Sequence, residues 1–226
     1  FAGMLDHADQ HLARLITFLD KAGVRDNTMI IVMSDNGASQ EGGPLGFVNA
    51  MGPYNFKPEP MPEKLARIDD IGGPDTHSNF PHGWAMASNT PLRRYKQNTH
   101  GGGIRDPFVI SWPKKIPAKG ELRHQFVHAT DLTPTLLDLI GGAIPVEING
   151  CAQMPLEGES FAKSITDPSA PPRKSPQYFE MFGHRGLWHD GWKAVAYHDP
   201  GRPFEDDRWE LYHLDQDFSE CRDLAK

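Results

Sequence analysis

"TMIIVMSDNG", residues 28–37, is an apolar run that ends abruptly on an acid, an amide and a glycine. A short continuous run of this kind suits a strand covered on both faces. Its end has two readings. Asn36-Gly37 is the strongest turn dipeptide, while Asp35 and Asn36 together offer two oxygen donors of the kind a hard cation takes. The preceding residues favour the second. Met4, Leu5, Ala8, Leu12, Leu15, Ile16 and Leu19 recur at steps of three and four with polar residues between them. That spacing predicts an amphipathic helix over 3–22, ended by Gly23. A helix followed by a buried strand is half of an α/β crossover, and in such sheets ligands gather beyond the carboxyl ends of the strands. Asp35 and Asn36 lie at that end.

Further along, residues 38–92 show no sustained periodicity and are rich in Gly, Pro, Asn and His. So long a connection is unusual in a compact domain unless it carries function. "DPFVISWP", 106–113, reads as a second buried strand stopped by Pro113. Asp131 is expected to cap a helix through "LTPTLLDLI", with Gly141 as its terminator. Residues 142–176 are loop-rich again, and "DPSAPPRKSP" has the composition of a linker. Beyond it, "QYFEMF", "RGLWH", "WKAVAYH" and "WELYHL" are short aromatic and β-branched runs separated by turns, as in a small antiparallel sheet. The expectation is an α/β fold: part of a mixed, mostly parallel sheet flanked by helices over 1–170, with a small antiparallel subdomain over 171–226.

Composition narrows the function. A net charge of −7 over 226 residues argues against general nucleic-acid binding, which wants a basic surface. No apolar run reaches the roughly 18 residues that span a bilayer. Cys151 and Cys221 are the only cysteines; one disulfide is possible but not implied. The chain opens on "FAGMLDHADQ", without an initiator Met or a signal-like core, so it is expected to begin inside something longer or to have been processed.

"PLRRYKQNTHGGGIRDP", 91–107, is the second informative stretch. Three consecutive glycines let a backbone pass close to a ligand, and the flanking basic residues could meet an anion. His100 to Gly103 match the H-G-G-G oxyanion loop of lipases and esterases, but that reading needs a G-x-S-x-G elbow, and "GESFA" at 158 fails at its fifth residue. For zinc, His124 and His128 are four apart, yet H-E-x-x-H is absent, and His77, His82 and His100 lack regular ligand spacing. Neither G-x-G-x-x-G nor a Walker sequence occurs.

Taken in order, "SDNG", "GWAMASNTPLRRYK", "QNTHGGGIRDPFVISWP", "HATDLTPTLLDLIG", "LWHDGWKAVAYH" and "RWELYHLDQDFSECRDLA" resemble the later part of a sulfatase, within the alkaline-phosphatase-like superfamily. Bacterial arylsulfatases are the nearest type. The resemblance covers essentially the whole chain and rests on the ordered series rather than on any one motif. It implies a hydrolase of small-molecule sulfate monoesters, aryl sulfates foremost, and one divalent cation, Ca2+, ligated in part by Asp35 and Asn36. It also implies a substrate lysine at Lys96, with His100 beside the substrate. The family pattern reads Glu-Gly-Gly-Ile-Arg where this chain has Gly101 first, which removes a carboxylate near Lys96. The family's nucleophile is a formylglycine made in C/S-x-P-x-R. Neither "CAQMP" at Cys151 nor "CRDLA" at Cys221 fits, so the formylglycine is expected upstream, and this chain alone is expected to be inactive. Two alternatives share these features: a phosphate or phosphonate monoester hydrolase of the same superfamily, and a binding module that keeps the fold without the chemistry. Compartment and oligomeric state are left open.

Overall fold

The computed structural model describes residues 1–116, 120–172 and 176–226. The predicted first helix is α1, Ala2–Lys21, and Gly23 follows it at φ +68°, the left-handed conformation that ends helices without a Cβ penalty. The apolar run becomes β1, Ile30–Met33, and the second run becomes β2, Phe108–Ser111. These two strands are neighbours in one sheet. The expected cover on both faces is incomplete. Val32, Met33 and Val109 are exposed, because β1 and β2 form a two-stranded sheet among the described residues. An uninterrupted apolar run reports what a strand would bury, not how much of its cover is present.

The long connection is not irregular throughout. It holds α2 (Met51–Tyr54), α3 (Met61–Ala66) and α4 (His82–Ser88), each too short to show a 3.6-residue period. Pro60 and Pro81 stand in extended backbone just before the last two, where a proline can start a helix but not continue one. After it, Gly101–Ile104 forms a single helical turn, α5.

Two compact units make up the chain. One comprises Phe1–Ala8, Val32–Val109 and Gln177–Lys226, the other Asp9–Ile31 and Ile110–Pro176. In the second, α6 (Leu132–Ile140) ends as expected on Gly141 at φ +72°. Its start differs from expectation. His128 is the cap of a preceding 3-10 turn, and Asp131 accepts from the His128 N–H at 2.9 Å and the Glu159 N–H at 2.9 Å. Asp131 therefore closes a capping box across the turn instead of capping α6 itself. The same unit holds a two-residue ladder, β3 (Glu147–Ile148) with β4 (Cys151–Ala152), and α7, Ala162–Thr166. The linker reading over 167–176 falls partly outside the described residues.

The first unit holds the antiparallel sheet. β5 (Gln177–Met181), β6 (His184–His189), β7 (Trp192–Ala196) and β8 (Trp209–His213) pair in sequence order. Phe182-Gly183 and Asp190-Gly191 join the first three strands with φ positive at both residues, the two-residue geometry that matches strand twist. Register then places Trp188, Lys193 and Tyr212 in one row, and Gly186, Val195 and Glu210 in the next. Both rows face inward, with Val195 at 0%, Tyr212 at 1% and Lys193 at 2% exposure.

Candidate functional site

Asp35 and Asn36 emerge just past β1. The Ser34 N–H donates to Pro107 O at 3.3 Å, and the Ser34 hydroxyl donates to Asn36 O at 2.8 Å, which bends the chain immediately after the strand. Neither Asn36 nor Gly37 has positive φ, so this is not the tight hairpin turn that Asn-Gly suggests. Gly37 is required for another reason. A Cβ there would lie 1.6 Å from Gly102 O, so only a glycine lets the two backbones meet. Asn36 Nδ2 donates to Asp35 Oδ1 at 2.8 Å. That bond engages the amide nitrogen and leaves the amide oxygen out of the pairing.

The glycine triplet serves the same packing. A Cβ on Gly102 would lie 2.1 Å from Arg94 O, and one on Gly103 would lie 2.0 Å from Asn98 O. The close neighbour is the protein's own backbone, not a ligand, and this corrects the reading of 101–103 as a ligand-facing loop. Asn89 stitches the two segments together. Its Oδ1 accepts from the Ala38 N–H at 3.0 Å, and its Nδ2 donates to Gly102 O at 2.7 Å and Arg94 O at 3.0 Å. Sequence reading passed over Asn89, because an asparagine after a short helix carries no signal of such a role.

Lys96 is tied to the same frame. Its N–H donates to Ala38 O at 3.1 Å, so the chain three residues beyond Asp35 fixes where Lys96 starts. Arg94 and Gln97 beside it have φ of +67° and +73°, a strained conformation for non-glycine residues that tends to cluster at functional sites. The Lys96 amine is 3.0 Å from Glu41 Oε1, with its side chain 30% exposed. The bond from Lys96, helped by one from Ser39, lowers the Glu41 pKa and keeps it ionised. The backbone of Lys96 is thus tied to the segment just beyond Asp35 and Asn36, and its amine to Glu41.

His100 lies elsewhere in this unit. It is 1% exposed, with Nε2 3.3 Å from Glu210 Oε2, and burial lowers its pKa to about 4. Around it the sheet's inner face meets the loop. Arg93 Nη1 donates to Glu210 Oε2 at 2.8 Å, and the Tyr212 hydroxyl bonds Glu210. Thr99 Oγ1 donates to Arg185 O at 3.0 Å. Glu220 Oε2 accepts from the Gly101 N–H at 2.9 Å, and its Oε1 pairs with Lys193 Nζ at 2.5 Å. A carboxylate thus stands at the Gly101 N–H, that of Glu220, while the one beside Lys96 belongs to Glu41.

Asp106, at the entrance to β2, is a second acid that sequence reading did not single out. Burial, and then the nearby charge of Asp35, raise its pKa to about 6, and its Oδ1 is buried without a hydrogen-bond partner. Among the described residues, no group of three or more His, Cys, Asp or Glu is placed to hold a metal ion. Asp35 and Asn36 nonetheless fit a hard cation: their donors are oxygens, and an orphaned carboxylate oxygen lies in the same neighbourhood. His128, one of the two histidines weighed for zinc, is engaged in the cap described above. Both cysteines are free and exposed. No helix of the described residues is long and apolar enough to cross a membrane.

One stretch bears on the nucleophile. Ser169-Ala170-Pro171-Pro172-Arg173 has the spacing S-x-P-x-R, though it lies in the linker-like segment. The Ser169 hydroxyl and N–H both donate to Asp167 Oδ1, at 2.7 and 2.8 Å. Ser169 is exposed and belongs to the second unit, whereas Lys96 and Asp35 belong to the first.

The comparisons with known proteins bear on the family and the fold. The sulfatase family model matches residues 1–143, and a model for the C-terminal region of N-sulphoglucosamine sulphohydrolase matches residues 95–226. An uncharacterized sulfatase of Schizosaccharomyces pombe is 30% identical over 240 residues, covering 100% of this chain and 39% of that protein. The arylsulfatase of Klebsiella aerogenes is 28% identical over 142 residues, covering 62% of this chain and 29% of its own length. A solved Bacteroides thetaiotaomicron structure, described under the metabolism of multiple glycosaminoglycans, superposes with a TM-score of 0.60 at 16% identity. That superposition covers 96% of this chain and 39% of the other, and it speaks to the fold alone. The chain spans well under half the length of each of these relatives. With the sulfatase model matching 143 of its 226 residues, the chain belongs to the sulfatase family.

Proposed function

We propose that the protein carrying this chain hydrolyses sulfate monoesters, aryl sulfates foremost, and that Asp35, Asn36 and Lys96 take part directly. One observation supports the reading: the hydrogen bond from the Lys96 N–H to Ala38 O, 3.1 Å, which ties the backbone of a cationic residue to the segment that follows the pair of oxygen donors. Such a pairing suits an ester that is anionic at one end and must be drawn toward a cation at the other. Similarity to the Klebsiella aerogenes arylsulfatase supports the aryl preference.

In this reading Asp35 and Asn36 supply two of the six to eight oxygen ligands that calcium prefers, and other ligands complete the shell. When bound, the cation would act as a Lewis acid on a sulfate oxygen. Lys96 does the work that belongs to this chain. An ammonium carries three donors, so it can keep Glu41 and still meet a sulfate oxygen. As the S–O bond to the leaving group breaks, charge grows on the departing oxygen, and a fixed positive charge there lowers the barrier. The nucleophile, a formylglycine, is supplied by sequence outside this chain. His100, buried against Glu210, acts by holding the loop that carries Lys96.

The test is release of sulfate from a chromogenic aryl sulfate by the complete polypeptide, beside the matching phosphate monoester and with calcium present or chelated. Calcium-dependent turnover of the sulfate ester, in preference to the phosphate, is expected. Preference for the phosphate would move the protein to the phosphate or phosphonate hydrolases. Binding of both esters without turnover would make it a binding module.

A further inference from the structure

Beside Lys96 lies an open hollow of about 670 Å³, lined by Gln40, Glu41, Gly43, Tyr54, His82 and Gln97. Its size is that of a small-molecule site. Glu41 connects it to the proposed chemistry, because the carboxylate that lines the hollow is the one that pairs with Lys96. We infer that this hollow receives the leaving group, and that Glu41 selects leaving groups carrying hydrogen-bond donors while rejecting those with a second negative charge. The inference rests on the sulfatase reading of the site.

Three features support it. Glu41 is fixed at both oxygens, Oε1 by the Lys96 amine at 3.0 Å and Oε2 by the Ser39 hydroxyl at 2.9 Å, so its charge does not swing away from an incoming group. Its side chain is still 36% exposed, so that charge faces whatever enters. When a sulfate takes a share of Lys96, Glu41 loses part of the one cation paired with it among the described residues. A carboxylate or second sulfate on the leaving group would then meet an uncompensated anion, whereas a hydroxyl or ammonium would find an acceptor. Gln40 and Gln97 brace each other in the wall, Gln40 Nε2 donating to Gln97 Oε1 at 2.6 Å. Tyr54 and His82 bring flat rings to the same hollow, which suits a ring-shaped leaving group.

The experiment uses the complete polypeptide and three phenyl sulfates substituted at the para position with hydroxymethyl, aminomethyl or carboxyl. kcat/KM is measured for each in the wild type, in Glu41→Gln and in Glu41→Asp. Each substrate is compared with itself across variants, which cancels intrinsic differences in leaving-group reactivity. Glu41→Gln is expected to raise the carboxyl-to-hydroxymethyl ratio about tenfold, the factor that roughly 1.4 kcal/mol represents, with the change mainly in KM. Glu41→Asp keeps the charge and should retain the wild-type ratio. In the wild type alone, added salt should shrink the discrimination against the carboxyl substrate, since exposed charges are screened. A ratio unmoved by both Glu41→Gln and salt, in protein that turns over the hydroxymethyl ester, overturns the role of Glu41 and leaves the sulfatase reading intact. No sulfate release from any of the three esters overturns that reading and this inference with it.

Discussion

Replacing Glu220 with alanine should be among the most damaging single changes this chain can suffer. Glu220 is 1% exposed, and its partner Lys193 is 2% exposed. Their 2.5 Å contact and the 2.9 Å bond from the Gly101 N–H are what make burial of the charges tolerable. Burial pulls the Lys193 pKa down, and Glu220 opposes that shift. Without the carboxylate, a buried ammonium and a buried N–H are both stranded. Breaking one side of a buried pair costs roughly 3–5 kcal/mol, and in a chain of this length that is a fall of about 6–20 °C in Tm. Glu220→Gln keeps an acceptor for Gly101 but not the charge, so it should lie between alanine and wild type. The double variant Glu220→Met, Lys193→Met should recover most of the loss, because well-packed apolar residues replace buried ion pairs at little cost. Urea unfolding followed by tryptophan fluorescence reads all four proteins, Trp188 and Trp192 standing in the same sheet. A loss below about 1 kcal/mol for Glu220→Ala, or a double variant no more stable than the single, would refute the argument.

Three other outcomes follow from the site. His100 has a depressed pKa in the fold, about 4, against 6.5 unfolded, so the unfolded chain takes up the proton first as pH falls. Stability should therefore decline by up to about 3 kcal/mol between pH 6.5 and 4, and His100→Asn should flatten that stretch of a denaturation-against-pH curve. Calcium binding to the complete polypeptide, followed by calorimetry, should weaken by at least about tenfold in Asp35→Ala; unchanged affinity would place the cation elsewhere. Ser169→Ala should leave aryl sulfate turnover at the wild-type level, because its hydroxyl serves the Asp167 turn; loss of turnover in a folded variant would make that serine the source of the nucleophile.

What the sequence revealed and what it hid divide along a physical line. Local signals were readable: the three-and-four spacing of α1, the glycine that ends α6, and the short aromatic runs, parted by turns, of the C-terminal sheet. Asp35 and Asn36 stood out as candidates because two oxygen donors end a strand, whereas Lys96 was singled out only by the family resemblance. The glycines themselves were ambiguous, since a ligand and a backbone carbonyl both require a missing Cβ. Only coordinates show that Arg94 O and Asn98 O are the neighbours. Contacts between distant segments left no trace in the sequence. Glu220 reaches Gly101 across 119 residues and Glu210 reaches His100 across 110, and no periodicity or motif joins such positions. Asn89 and Asp106 were missed for the same reason.

The central claim is that Lys96 acts on the sulfate ester rather than merely pairing with Glu41 at the surface. The most direct measurement is kcat/KM for an aryl sulfate in the complete polypeptide and in its Lys96→Ala variant, with the thermal midpoint of each. An exposed pair such as Lys96–Glu41 contributes at most about 1 kcal/mol to stability, so the midpoint should move little. The rate should fall by roughly 10²–10³, the cost of removing one charge-stabilising group from a transition state. A folded Lys96→Ala protein with near-normal kcat/KM would contradict the account.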